Sequence, residues 1–325
     1  MQAIVYREYG GPEVLSLEEL PAPEPKDGEV LVRVRAAAVN PMDRHFLRGE
    51  PYFLRLMSGW RRPKSIRLGA DLAVVVEAVG RGVTRFKPGD AVFGAGRGAF
   101  GELVCTPERA LAVKPERVSF EQAAALPVAG TTALQGLRDA GKIQPGQTVL
   151  INGAAGGVGT FAVQIARALG AVVTGVCSTR NVELVRSLGA AHVVDYTQED
   201  FITDDRQYDL MLDCVMNHSP AACRRVLRPR GTYVAIGGKS AGRLGPLLRL
   251  AAAAVKSSFT GQRLRFCMAK LNAADLAWLG DLVASGKITP VIDRRGSLRE
   301  VPEAIRHLET GHTRGKMVIS LDGRG

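Results

Sequence analysis

Residues 149–171 read VLINGAAGGVGTFAVQIARALGA. Val149 to Ile151 form an apolar, strand-like run. The run enters a turn built from Gly153, Gly156, Gly157 and Gly159, with Ala154 and Ala155 between them. Val158, Ala162, Ile165 and Leu169 then recur at helical spacing, and Gly170 stands where a helix would end. Small residues between a strand and a helix let the backbone approach a pyrophosphate, and the helix N-terminus offers amides to its charge. The pattern is A-x-G-x-x-G (Ala154, Gly156, Gly159), with Gly157 added. A tight turn without a ligand would not need four glycines, so a dinucleotide site is expected over residues 154–159.

The surroundings agree. Strands are predicted at 148–152, 172–177, 192–194, 209–214 and 232–236, and helices at 158–169, 181–188 and 219–227. Strands and helices in alternation imply a parallel sheet covered on both faces. Residues 1–125 differ: short β-branched runs such as EVLVRVRAAAV and LAVVVEAVG are punctuated by Gly, Pro and Asp. Helix-like spacing first appears in SFEQAAALPVAGTTALQGL, with Ser119 and Glu121 suited to its start. After 244 the texture is mixed again, with helices expected at 273–284 and 300–310 and strands at 289–292 and 316–321.

The loop after the second of these strands bears on which dinucleotide is bound. NAD-selective sites carry an acid there to bond the ribose 2′-OH. This chain reads VVTGVCSTRN over 172–181, with Ser178, Thr179 and Arg180 in place of an acid. An Arg and hydroxyls bind a 2′-phosphate that an acid would repel, so NADPH is favoured over NADH. Ser178 and Thr179 also suit a capping role before Val182.

The bulk properties bound the class. The chain has 325 residues, 46% hydrophobic and 23% charged, which suits one large domain or two ordinary ones. No apolar run is long enough for a membrane span, and the N-terminus does not read as a secretory signal. Five cysteines without a C-x-x-C read as reduced thiols of a cytoplasmic protein. Net charge is +11, with basic residues gathered in 54–69, 224–231 and 243–270. That suits either a solvated surface or attraction of a polyanion; no nucleic-acid motif accompanies it, so a nucleic-acid partner is not expected.

Four stretches together carry a resemblance: GGPEVLSLEELPAPEPKDGEVLVRVRAAAVNPMD, VEAVGRGVTRFKPGDAVFG, ALPVAGTTAL and INGAAGGVGTFAVQIARALGA. In this order and spacing they resemble the medium-chain dehydrogenase/reductase superfamily, in its zinc-independent branch of quinone oxidoreductases and enone reductases. The resemblance spans nearly the whole chain. It implies an α/β protein with a GroES-like, β-rich catalytic domain (1–125, with a return over 261–325) and an inserted Rossmann domain with a doubly wound parallel sheet (126–260). It also implies an active site in the interdomain cleft and a homodimer joined through the sheet edges of the cofactor domains.

Departures from the zinc-dependent branch narrow the chemistry. Asn40 stands where those enzymes have a cysteine, and Gly69-Ala70-Asp71 where they have G-H-E. Residues 123–132 contain no Cys, His or Asp, and 94–106 offers only Cys105 in place of a structural-zinc lobe. Zinc needs three or four such ligands. The five histidines (45, 192, 218, 307, 312) are scattered and read as structural or surface residues. Without a Lewis acid an ordinary ketone is a poor hydride acceptor, whereas an enone or a quinone delocalises the developing charge.

The resemblance also implies roles for individual residues. Asn40 lies near the nicotinamide ribose and the substrate, against a plain turn role before Pro41. Thr131 approaches the nicotinamide, against a helix-start hydroxyl. Tyr196 packs near the 2′-phosphate. Ile236 and Gly237 end a strand whose backbone reaches the carboxamide. Lys316 lies near the cofactor, against a surface charge. Tyr52 is the nearest match to the tyrosine that protonates the enolate, against packing in the cleft wall. Val74 replaces a common glycine and either narrows the site or fills core. The expectation is an NADPH-dependent, zinc-free reductase of a small quinone or α,β-unsaturated carbonyl. The alternatives are a narrower ene- or enoyl-thioester reductase and a non-catalytic NADPH-binding sensor or nucleic-acid binder.

Overall fold

The strand Thr148–Asn152 sits near the middle of a six-stranded sheet in which every pairing is parallel. One wing runs out through Val172–Cys177 to His192–Asp195. The other runs through Tyr208–Asp213 and Leu227–Ala235 to Arg263–Phe266. Parallel strands covered on both faces must be apolar on both faces, and Val149, Leu150 and Ile151 are all fully buried. The order reverses between Thr148–Asn152 and Tyr208–Asp213, the place where such sheets bind ligands at their carboxyl ends. The computed structural model describes residues 1–203, 205–236 and 261–321.

Local chemistry fixes the element ends. The helix Gly157–Ala168 buries Phe161, Ala162, Val163, Ile165 and Ala166, and the chain leaves it through Gly170 at φ +82°. Ser119 accepts the amide of Gln122 to start the helix Phe120–Ala125. What the spacing suggests as one helix breaks at Leu126, because Pro127 has no amide to continue the ladder; a second helix runs Pro127–Gln135. The helix expected over 219–227 is shorter, Pro220–Cys223 with a 3₁₀ turn Arg224–Val226. Gln262 Nε2 donates to the carbonyls of Arg224 and Leu227 at 3.1 and 2.9 Å, which satisfies the backbone where the helix stops. The strand expected at 289–292 instead runs Ile292–Gly296, beyond Pro290, which has no ladder donor.

The second sheet has seven strands. Its order is Ile292–Gly296, Lys316–Ser320, Glu29–Val39, Asp71–Val79, Ala91–Ala95 and Leu111–Val113, with Leu103–Pro107 also paired to Glu29–Val39. Val30, Val32, Val34, Leu72, Val74, Val76, Val92 and Ile319 belong to its core. Val74 therefore fills core. Lys316–Ser320 pairs antiparallel with the end of Glu29–Val39, Met317 opposite Val39, so the C-terminal stretch rejoins a sheet begun by the N-terminal one. The chain divides into two compact units, Met1–Thr131 with Leu271–Gly325, and Thr132–Lys270.

Candidate active site

Gly153 turns the chain at φ +83° directly after the strand Thr148–Asn152. Its amide and that of Ala154 donate to Val176 O, which ties the turn to the neighbouring strand. Within the turn Gly156 donates its amide to Gly153 O at 3.1 Å, and Thr160 is the first helix amide to donate, to Gly156 O at 2.9 Å. The amides before it, of Gly157, Val158 and Gly159, have no acceptor within the helix. A Cβ on Gly159 would lie 2.1 Å from Gly153 O, whereas one on Gly156 would meet only Gly153 O, at 3.4 Å. Gly159 thus lets helix and strand close on each other, and Gly156 keeps the mouth of the turn clear. Ala154 and Ala155 are buried beside them. This cradle fits a dinucleotide pyrophosphate.

The next loop presents Ser178, half-buried, and Thr179 and Arg180, both exposed. Thr179–Asn181 is a 3₁₀ turn, so Ser178 and Thr179 do not cap Val182–Ser187; Asn181 stands at that cap. Asn181 Nδ2 donates to Ser178 Oγ at 3.1 Å, and the hydroxyls of Thr179 and Thr197 lie 2.7 Å apart. Tyr196 follows the strand His192–Asp195 and is exposed. Ile236 directly follows the Leu227–Ala235 strand, rather than ending it, and donates its amide to Asp213 O at 3.0 Å. Gly237 lies outside the described residues.

Asp213, which sequence reasoning missed, organises the carboxyl ends of the central strands. Its Oδ1 accepts from Asn152 Nδ2 at 2.9 Å and from the amides of Val215 and Met216 at 3.0 and 2.8 Å. Its Oδ2 accepts from Tyr233 Oη at 2.7 Å. Burial, then the charge of Asp213, pushes the Tyr233 hydroxyl up, so that it stays protonated and donates.

In the other unit, Asn40 precedes the helix Pro41–Arg48 and is buried. Its Nδ2 donates to Asp71 Oδ2 at 2.9 Å and to Ala38 O at 3.2 Å; its Oδ1 accepts from Lys316 Nζ at 2.5 Å. Lys316 also donates to Asp71 Oδ2 and to Val39 O, both at 3.1 Å. Lys316 is 3% exposed, so the surface-charge reading of it is wrong. Asn40 is also the N-cap of the helix Pro41–Arg48, in a capping box with Asp43, so its structural role before Pro41 stands beside these contacts.

Asp71 Oδ1 accepts the amide of Val128 at 2.9 Å, near the start of the Pro127–Gln135 helix. Asp43 accepts the amides of Asn40 at 2.8 Å and Gly69 at 3.1 Å. Burial pushes the Asp43 carboxyl up to about 7, and the charge of Asp71 adds to this. Asp43 and Asp71 were not among the expected site residues. The acid three positions after Asn40 is a visible capping signal, and Asp71 is the acid of the Gly69-Ala70-Asp71 stretch that stands in place of G-H-E.

Thr131 lies inside the Pro127–Gln135 helix, not at its start, which overturns the helix-start reading. It is fully buried and its Oγ1 has no hydrogen-bond partner. An orphaned buried hydroxyl is uncommon and fits a polar group of a bound molecule. Tyr52 is 41% exposed, with the Arg55 guanidinium 4.8 Å from its ring centroid.

Residues 26–116 match the alcohol dehydrogenase GroES-like domain family and 188–319 the zinc-binding dehydrogenase family. The chain is 34% identical to a 2-methylene-furan-3-one reductase of Solanum lycopersicum and 34% identical to a chloroplastic NADPH-dependent alkenal/one oxidoreductase of Arabidopsis thaliana. Each alignment covers 98% of this chain and 79% of the relative. A solved structure of the quinone oxidoreductase from Coxiella burnetii superposes with a TM-score of 0.89 at 31% identity, over 99% of both chains. The Escherichia coli quinone oxidoreductase complexed with NADPH gives 0.82 at 28% identity, over 98% of this chain and 100% of that one.

The chain belongs to the quinone oxidoreductase-like family of medium-chain dehydrogenases/reductases. Its GroES-like and Rossmann sheets are those of the family. As a quinone oxidoreductase-like chain it carries an amide, Asn40, and a methyl, Ala70, where zinc-dependent members place Cys and His ligands. Among the described residues, no helix is long and apolar enough to cross a membrane.

Proposed function

We propose that this chain is an NADPH-dependent oxidoreductase that reduces quinones or α,β-unsaturated carbonyls without a metal. The observation that carries the reading is the setting of Asn40. At a position where zinc-dependent relatives have a metal ligand, its amide is held between an ammonium and a carboxylate. Without a metal ligand at that position, acceptors that delocalise the developing charge themselves are favoured. The names of the relatives, an alkenal/one oxidoreductase and quinone oxidoreductases, support the same acceptor class.

NADPH, when bound, supplies the hydride. The amides of Gly157, Val158 and Gly159 would hold its pyrophosphate, with Ala154, Ala155 and Gly156 leaving room. Ser178, Thr179, Arg180 and Tyr196 would hold the 2′-phosphate. Thr131, Asn40 and the backbone of Ile236 and Gly237 would meet the nicotinamide end, supported by Lys316. Tyr52 or water would protonate the enolate. A cytoplasmic homodimer completes the reading, with its support in the scattered free thiols and in the family resemblance.

The test is anaerobic oxidation of NADPH against quinones, enones and enoyl thioesters, with and without a strong chelator. Turnover of quinones or enones that survives chelation is expected. Turnover of enoyl thioesters alone would move the chain to the narrower class. Loss of all turnover on chelation, or none with any acceptor, would sink the proposal.

A further inference from the structure

Residues 51–70 read PYFLRLMSGWRRPKSIRLGA, with five basic residues and no acid. The short helix Leu54–Ser58 lies within this stretch. Phe53, Leu56 and Met57 share one side of it by their spacing, and Trp60 follows just beyond its end. These four side chains are 52%, 71%, 78% and 65% exposed. One exposed apolar side chain is ordinary, but four large ones gathered on one segment mark a surface that meets something.

The segment is anchored through its other residues. Arg55 Nε donates to Gly49 O at 3.0 Å, and the guanidinium lies 4.4 Å from the Tyr9 ring centroid. Tyr9 Oη donates to Gly59 O at 2.5 Å and lies 2.9 Å from Ser58 Oγ. Arg55, Ser58 and Gly59 thus hold the segment to the protein and leave the apolar side chains outward. Gly59, at φ +117°, turns the chain back, and Lys64 donates its amide to Ser58 O at 2.7 Å. This turn sets Arg61, Arg62 and Lys64 beside the helix end. All three are exposed, and none has an ion-pair partner among the described residues.

We propose that residues 53–64 are a docking surface for an anionic lipid bilayer. Phe53, Leu56, Met57 and Trp60 enter the boundary between headgroups and acyl chains, while Arg61, Arg62 and Lys64 meet the lipid phosphates. Charge decides the occupant. A second copy seated on the same face would bring these cations against their own kind, with no acid in 51–70 to meet them. A nucleic acid would engage the cations but leave Leu56 and Met57 in water. An anionic bilayer answers both features at once. The contact is with the membrane surface and involves no span.

The test is co-flotation of the whole protein with vesicles of phosphatidylcholine alone and of phosphatidylcholine mixed with phosphatidylglycerol. The protein should float with the anionic vesicles, far less with the neutral ones, and less as salt rises. Leu56→Ser with Met57→Ser should lower the partition coefficient about tenfold or more. Arg61→Gln, Arg62→Gln and Lys64→Gln should each lower it about fivefold. All these variants should keep the wild-type unfolding midpoint, because the side chains they change are exposed. No binding to anionic vesicles, or binding that the variants leave unchanged, would overturn the proposal. A lowered midpoint would do so too, by placing the face inside the fold. So would self-association that Leu56→Ser/Met57→Ser abolishes, or binding to a short DNA duplex in preference to anionic vesicles. An altered Michaelis constant for a water-soluble acceptor with unchanged flotation would instead make the face part of the substrate's surroundings and end the proposal. Flotation requires no turnover, so its result stands apart from the reductase reading.

Discussion

A Cβ on Gly159 would sit 2.1 Å from the carbonyl oxygen of Gly153, across the turn that joins the central strand to its helix. At Gly156 the same atom would meet only that oxygen, at 3.4 Å. The two glycines therefore serve different ends, and their alanine variants should separate. Gly159→Ala should lower the unfolding midpoint markedly, since backbone must move. Gly156→Ala should fold with a near-normal midpoint, since its methyl meets only Gly153 O, and should weaken NADPH binding about tenfold or more if the pyrophosphate occupies the proposed cradle. Equal stability losses in both, by thermal unfolding, would put Gly156 in the packing and not in the site.

This contrast bears on how much could be read in advance. The glycine turn and the alternating strands and helices are local, periodic signals, and the parallel sheet follows from them. Asn40, Asp71 and Lys316 are not a local signal at all. The bonds that join them span 31, 245 and 276 positions. They arise from the register that sets Met317 opposite Val39, and sequence periodicity carries no such register. From the sequence Lys316 accordingly reads as a surface charge or a cofactor contact, and Asp71 only as the acid that stands in place of the Glu of G-H-E. The length of the helix Pro220–Cys223 is not legible for a similar reason, since Gln262, which takes up the carbonyls beyond its end, lies far along the chain.

Thr131 offers a cleaner probe than a charged residue. Its hydroxyl is buried without a partner, and a Thr inside a helix ordinarily bonds a carbonyl of the preceding turn. Thr131→Val keeps the shape and removes the unsatisfied group. It should unfold no earlier than the wild type, and later by up to about 1 kcal/mol. If the hydroxyl serves the cofactor, NADPH affinity should fall several-fold in the same variant. An unchanged dissociation constant would return Thr131 to the core.

Tyr52 tests the proton donor. A quinone and an enone both take hydride, but the enone must also gain a proton at carbon. Tyr52→Phe should lower turnover on enones by about 10²–10⁴-fold if the phenol is the acid, and much less on quinones. Steady-state kinetics on one acceptor of each kind decide it. A small, equal loss on both would leave Tyr52 as packing against Arg55.

Glu309 supplies a pH test remote from the chemistry. It accepts from Arg48 Nε at 2.5 Å and Nη2 at 2.9 Å, and from Arg44 Nε at 3.2 Å, so it anchors the helix that begins after Asn40. The Arg48 hydrogen bonds hold its carboxyl below the usual value of 4.5. A lowered carboxyl pKa stabilises the fold fully above the unfolded value and ceases to as pH falls through the folded one. Glu309→Gln should therefore be less stable than the wild type by about 1 kcal/mol at pH 7; the gap should begin to close below the usual value of 4.5 and vanish once the pH lies below the lowered folded value. Urea unfolding at both pH values gives the comparison; a gap that persists in acid would mean that packing, not charge, is lost.

The role in cofactor choice proposed for Arg180 is electrostatic. The 2′-phosphate carries nearly two negative charges; the loop Ser178–Thr179–Arg180 contains no acid of its own, and the neighbouring Asp195 is engaged by Thr179 and Thr197. A guanidinium offers a forked donor to phosphate oxygens. A charge-assisted hydrogen bond contributes roughly 1.5–3 kcal/mol, or about one to two decades in affinity. Arg180→Ala should raise the Michaelis constant for NADPH by about that factor, while NADH, which lacks the phosphate, changes little. Arg180 is exposed, so salt should screen it, and the wild-type preference should narrow as ionic strength rises. Kinetics with both cofactors at two salt concentrations, for wild type and variant, test each clause. A wild type that prefers NADH, or a variant that loses both cofactors equally, would make Arg180 a surface residue and the phosphate reading wrong.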